Sequence, residues 1–146
     1  MTASRKLDNF IKCLSTLQGA DFSAAGEDDI YRTGVTAQFS LTFELAWKAL
    51  QEMLRAHGVE SARTGSPREI LQLAFKMGFI NDETIWLSML RHQNASAHEY
   101  DESMTDELIL LIKDSYLPAF QALKETLENK LTELDPDDKL YSNPRK

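Results

Sequence analysis

Apolar side chains recur along nearly the whole chain at spacings of three and four, and no stretch alternates convincingly at two. That is the period of amphipathic helices and not of half-buried strands. The first such segment carries Leu7, Phe10, Ile11, Leu14 and Leu17. After a loop expected around Gly26, a second starts at Asp28 or Asp29, whose carboxylates suit the positive end of a helix. Its core stripe is Phe39, Phe43, Ala46, Trp47, Leu50 and Leu54, and it ends at Gly58 behind Arg55 and His57. Leu41 and Leu45 add a second apolar line, which suits a central helix or one that also makes a dimer contact.

Ser66-Pro67-Arg68-Glu69 combines a capping box with proline at the first helical position. It starts a short helix with Ile70, Leu73, Ala74 and Met77 inward and Gly78 as its stop. Asn81-Asp82-Glu83 opens a further helix bearing Ile85, Trp86, Met89 and Leu90. The last, capped by Ser103 or Thr105, carries Tyr116, Phe120, Leu123, Leu127, Leu131 and Leu134. Pro118 should kink it one turn upstream, because proline removes a hydrogen bond and clashes backward. The pattern predicts an all-α fold, an antiparallel up-and-down four-helix bundle with one extra short helix. A single domain is expected over residues 1–134, followed by a flexible C-terminal tail at 135–146 where the periodicity is lost.

Composition agrees with this reading and narrows it. With 146 residues the chain can bury one core without staples, and 42% apolar against 27% charged residues argues against disorder. Four prolines and six glycines are too few to punctuate a β-rich fold. The single cysteine, Cys13, allows no internal disulfide and is expected as a small buried hydrophobe. The opening residues lack an apolar signal core, and the longest apolar run, Leu108 to Ile112, is too short to cross a bilayer. A cytoplasmic protein without membrane contact is the expectation. The net charge of −7, with sixteen scattered basic residues, excludes a duplex-coating role but leaves room for a local site holding one phosphate or nucleotide.

Candidate chemistry concentrates in residues 91–102, which hold two of the three histidines, an arginine, two amides and a tyrosine. On a continuous helix, Arg91, Asn94, His98 and Asp101 share one polar stripe, with Arg91 and His98 about 10 Å apart along the axis. Trp86, Leu90, Gln93, Ala97 and Tyr100 fall on another, mainly apolar stripe. Arginine and histidine so placed can hold one phosphate-bearing ligand, although such a pair is more often only a solvated face. His92 and His98 are six apart, not the four expected of a helical metal pair, so no metal site is expected. Trp47 and Trp86 read as core anchors.

The run Gln38-Phe39-Ser40-Leu41-Thr42-Phe43-Glu44-Leu45-Ala46-Trp47-Lys48 resembles the F-E-x-T-F-E-L-A-W-K segment of the nucleotidyltransferase substrate-binding family. Ser66 to Glu69, Ala74 to Gly78 and Trp86 to Leu90 continue the likeness, and Ala97-His98-Glu99-Tyr100-Asp101-Glu102 looks like that family's S-H-x-Y-D-E. Gln93-Asn94 stands where that branch has Arg-Asn, and Gln38 and Ser40 replace its arginine and glutamate. The resemblance implies a HEPN-related bundle that serves a separate minimal nucleotidyltransferase, with ATP and Mg belonging to that partner and no cofactor in this chain. The expected role is a non-catalytic, homodimeric partner subunit binding nucleotide or RNA through Arg91, Asn94 and His98. The alternative is a metal-independent HEPN-type RNase of a toxin–antitoxin pair. There His98 would act as general base, Arg91 would stabilise the phosphorane, and Tyr100 would be adenylylated by the partner.

Overall fold

The structure, a computed structural model, describes residues 4–95 and 102–134. Helix α1 (Arg5–Gln18) is capped by Ser4, whose hydroxyl oxygen accepts from the Leu7 amide and donates to Glu52 at 2.9 Å. A short α2 (Phe22–Glu27) leads through Asp28 into the long α3 (Asp29–Ala56). A 3-10 turn (Glu60–Ala62), α4 (Pro67–Lys76) and α5 (Glu83–Asn94) follow. The last rod is α6 (Glu102–Leu111), a π turn (Ile112–Tyr116) and α7 (Leu117–Thr132). Among the described residues there is no strand.

Long-range contacts set the topology. Ser4 meets Glu52 while Gln38 donates to the Cys13 carbonyl, so α1 and α3 run antiparallel. Arg32 pairs with Asp106 and His57 meets the Lys130 carbonyl, so the last rod runs parallel to α3. Trp86 touches Phe120 and His92 touches Tyr116, so α5 opposes that rod. The order α1, α3, α5, α6–α7 is therefore up-down-up-down, the bundle that the helical periodicity predicts. Helix α3 packs against every other α-helix, which accounts for its wide apolar stripe. At the centre, Phe10, Phe39, Phe43, Trp86, Tyr116 and Phe120 stack, tilt or meet edge to face with centroids 5.3 to 6.4 Å apart, joining all four principal elements.

Pro118 disrupts the last helix where expected, one turn upstream, and the disruption takes the form of the π turn. The extra residue has a packing role. Leu108, Ile112, Tyr116 and Phe120 are all buried at successive spacings of four. In a regular α-helix that run would drift by about 120° around the axis. A π turn absorbs most of the drift and keeps the four side chains on one face.

Several expectations are corrected. Residues 22–27, expected as loop, form α2, because Asp21 caps it with its carboxylate on the Ser23 and Ala24 amides. Helix α6 already includes Glu102, so Ser103 and Thr105 lie inside it and do not cap it. Met77 is 46% exposed beyond the end of α4, and Leu71 is buried in its stead. Trp47 and Cys13 are only half-buried; the Trp47 ring lies at the bundle edge, where its indole N–H donates to Glu44. The expected tail at 135–146 lies outside the described residues.

Candidate functional site

Helix α5 starts at Asp82, whose carboxylate accepts from the Ile85 amide, and buries Trp86, Met89, Leu90 and His92. Its last turn is fixed from two sides. On one side Gln93 donates to the Ser40 carbonyl at 3.1 Å and to Glu44 at 3.2 Å, locking α5 to α3. Burial alone would raise the Glu44 carboxyl, but hydrogen bonds from Lys48, Trp47 and Gln93 outweigh it and hold the group below its ordinary value. Glu44 is thus ionised at neutral pH and anchors the turn. On the other side the Nδ1 of His92 lies 3.1 Å from the Ser88 carbonyl oxygen and 2.8 Å from the Tyr116 hydroxyl, which is itself 2.6 Å from the Ser88 hydroxyl. Burial pushes the His92 imidazole below its ordinary value, and the charge of Arg91 acts in the same direction. The Ser88 hydrogen bond and the Glu107 carboxylate oppose them without prevailing.

With Gln93 and His92 engaged inward, Arg91 and Asn94 project outward, both exposed. They line a cavity of about 880 Å³ between the last turns of α5 and the first turn of α4. Ser66, Pro67 and Arg68 form the α4 wall, while Leu87, Leu90, Ala95 and Met104 supply apolar surface. No acidic residue is among the described lining residues, and no ion pair among the described residues engages Arg68 or Arg91. Two guanidinium groups, an amide and an apolar wall suit a ligand with an anionic end and a flat or apolar body. Among the described residues no group of His, Cys, Asp or Glu converges as a metal site.

The structure brings Arg91 and Asn94 together on one wall. The continuous helix assumed for the polar stripe stops short, however: Ala95 turns to extended backbone with ψ 131°, so α5 ends at Asn94. Nothing on α5 therefore places residue 98 in line with residue 91, and His98, Tyr100 and Asp101, all expected at the site, lie outside the described residues. Spacing along the sequence does not reveal Arg68. Ser66 to Glu69 carries a cap signal, and the capping box is present, with Glu69 accepting from the Ser66 amide at 2.8 Å. Only the packing of α4 on α5 turns the neighbouring arginine into a cavity residue. Arg91 faces outward and Gln93 inward, so the cation of this last turn belongs to the cavity and the amide to the scaffold.

The chain is similar in fold to HI0074 of Haemophilus influenzae, a structure described as revealing the fold of a substrate binding domain of a nucleotidyltransferase. That match has a TM-score of 0.72 at 20% identity and covers 84% of this chain and 98% of the other. A Thermus thermophilus protein is similar at 28% identity, with a TM-score of 0.62 and the same coverage of 84% and 98%. No match is found among curated proteins. The model of the family described as nucleotidyltransferase substrate binding protein like matches residues 5–129, and the chain belongs to that family.

Proposed function

We propose that this protein is a non-catalytic, cytoplasmic partner subunit that presents substrate to a separate nucleotidyltransferase, and that the cavity between α4 and α5 holds a nucleotide. The observation that carries the reading is the pair Arg68 and Arg91, both exposed on one cavity with no acidic residue among its described lining residues. Their planar donor forks suit phosphate oxygens, and Leu87, Leu90 and Met104 offer apolar surface to a base. Asn94 adds an amide that can read a ring edge or ribose hydroxyl. ATP and Mg for the transfer step belong to the partner. Calorimetric titration with ATP tests the assignment: Arg91→Ala and Arg68→Ala should each weaken binding about ten-fold or more, the scale of one charge-assisted hydrogen bond. Unchanged affinity in both variants would remove the cavity from consideration. Cleavage of RNA by the purified protein alone would overturn the non-catalytic role.

The subunit is further proposed to pair with itself through α3. Leu41 is 48% exposed, and Leu45 one turn on is half-buried against the core, so the bundle covers this short apolar line only in part. Light scattering at micromolar concentration should give about twice the 16.6 kDa of one chain, falling toward that value for Leu41→Glu. A monomeric parent protein would refute the pairing.

A further inference from the structure

We propose that Tyr116 is a positioning residue for Arg91, acting through Ser88 to hold the guanidinium on the cavity wall. The inference rests on the reading of Arg91 as a ligand contact. Tyr116 closes the π turn, and its ring is buried, stacked on Phe39 at 5.3 Å between centroids. The turn delivers its hydroxyl to α5, within 2.6 Å of the Ser88 hydroxyl, and the Nη2 of Arg91 donates to that same Ser88 oxygen at 3.5 Å. The chemistry of these groups limits where the protons lie. The Ser88 carbonyl only accepts, so the Nδ1 of His92 carries a proton and shares it between that carbonyl and the Tyr116 oxygen. The Tyr116 and Ser88 hydroxyls share a hydrogen bond in which either can donate, and in both cases the Ser88 oxygen keeps a lone pair for Arg91. Such chains strengthen each member by polarisation and hold the serine hydroxyl in one rotamer.

Arginine carries large rotamer freedom, and narrowing it before the ligand arrives lowers the cost of binding. The distance of 3.5 Å from Nη2 is long for a hydrogen bond, so the contact orients the group without competing strongly with a phosphate for it. The π turn, which keeps the inner face of the last rod in register, thus also sets the reach of a hydroxyl on a different helix.

The test is a double-mutant cycle read by ATP titration. Tyr116→Phe keeps the ring and removes only the hydroxyl, and Ser88→Ala removes the intermediate oxygen. Each should weaken ATP binding about three- to ten-fold in the parent protein, the scale of one hydrogen bond. Neither should weaken it further in an Arg91→Ala background, an outcome that a general loosening of the packing would not produce. Equal losses in both backgrounds, or none in the parent, would overturn the positioning role while leaving the cavity assignment standing. If Arg91→Ala itself leaves ATP binding unchanged, the cavity reading falls first and this inference with it. Should Tyr116→Phe fail to fold, Ser88→Ala decides alone.

Discussion

The two sides of α5 obey different rules. The inner side sets Trp86 and Met89 into the aromatic centre, with Trp86 only 3% exposed and in contact with Phe43 and Phe120. The outer side, one helical step away, carries Arg91 and Asn94 over a cavity whose described lining offers them no carboxylate. Shape complementarity governs the first, since a dense interior penalises any missing volume. The second keeps cations that a merely stable surface would have paired, as Arg32 is paired with Asp106 at 2.8 Å. One helix therefore serves as core element and as site wall, and the change from one to the other occurs within a single turn.

Substitutions can break that contrast. Trp86→Ala should cost about 3–5 kcal/mol in chemical denaturation, the range for deleting a buried aromatic side chain. Arg91→Ala, judged by the same measurement, should change stability by about 0.5 kcal/mol or less, as exposed substitutions usually do. Comparable losses would make Arg91 part of the scaffold and erase the distinction. A smaller effect sharpens the boundary at His92, which sits between the two sides. Its folded-state pKa is lowered, so the unfolded chain takes up a proton first as pH falls. The contribution of the neutral imidazole is fully present above the ordinary histidine value of about 6.5 and is lost as pH drops from there through the lower folded value. Denaturation midpoints should consequently fall between about pH 7.5 and 5.5 more in the parent than in His92→Gln. Parallel pH profiles would show that the imidazole titrates alike in both states.

Most of the bundle is readable from periodicity and end signals because both are local. Asp28, Gly58, the Ser66 capping box and Asp82 all mark helix ends where the sequence predicts them, and Gly58 adopts the positive φ of 85° that favours glycine. Helix α2 escapes such a reading because six residues are too few for an apolar period to emerge. Trp47 is less buried than its helical spacing suggests because an amphipathic ring can lie at the edge with its N–H satisfied by Glu44. The cavity is only half readable. Arg91 and Asn94 share a face by local geometry, whereas Arg68 joins them from another helix, a relation that sequence spacing does not encode. The end of α5 at Asn94 is also hidden, since Ala95-Ser96-Ala97 contains neither glycine nor proline to announce it.

The π turn has a consequence for how this chain tolerates change in length. Removing one residue from 112–116 would take out the extra residue that the π turn accommodates, leaving eleven steps between Leu108 and Phe120 and a helix interrupted only at Pro118, which has no N–H to donate. At about 100° per residue eleven steps end about 20° past whole turns, so α6 and α7 would keep nearly the facing they have now. With α7 held by Phe120, Leu123 and Leu127, an added residue that no second π turn absorbs would instead swing α6 by about 100°, carrying Leu108 and Ile109 out of the core and turning Asp106 from Arg32. The segment thus tolerates the loss of a residue better than the gain of one, and angular phase, more than residue identity, sets which changes of length it can take.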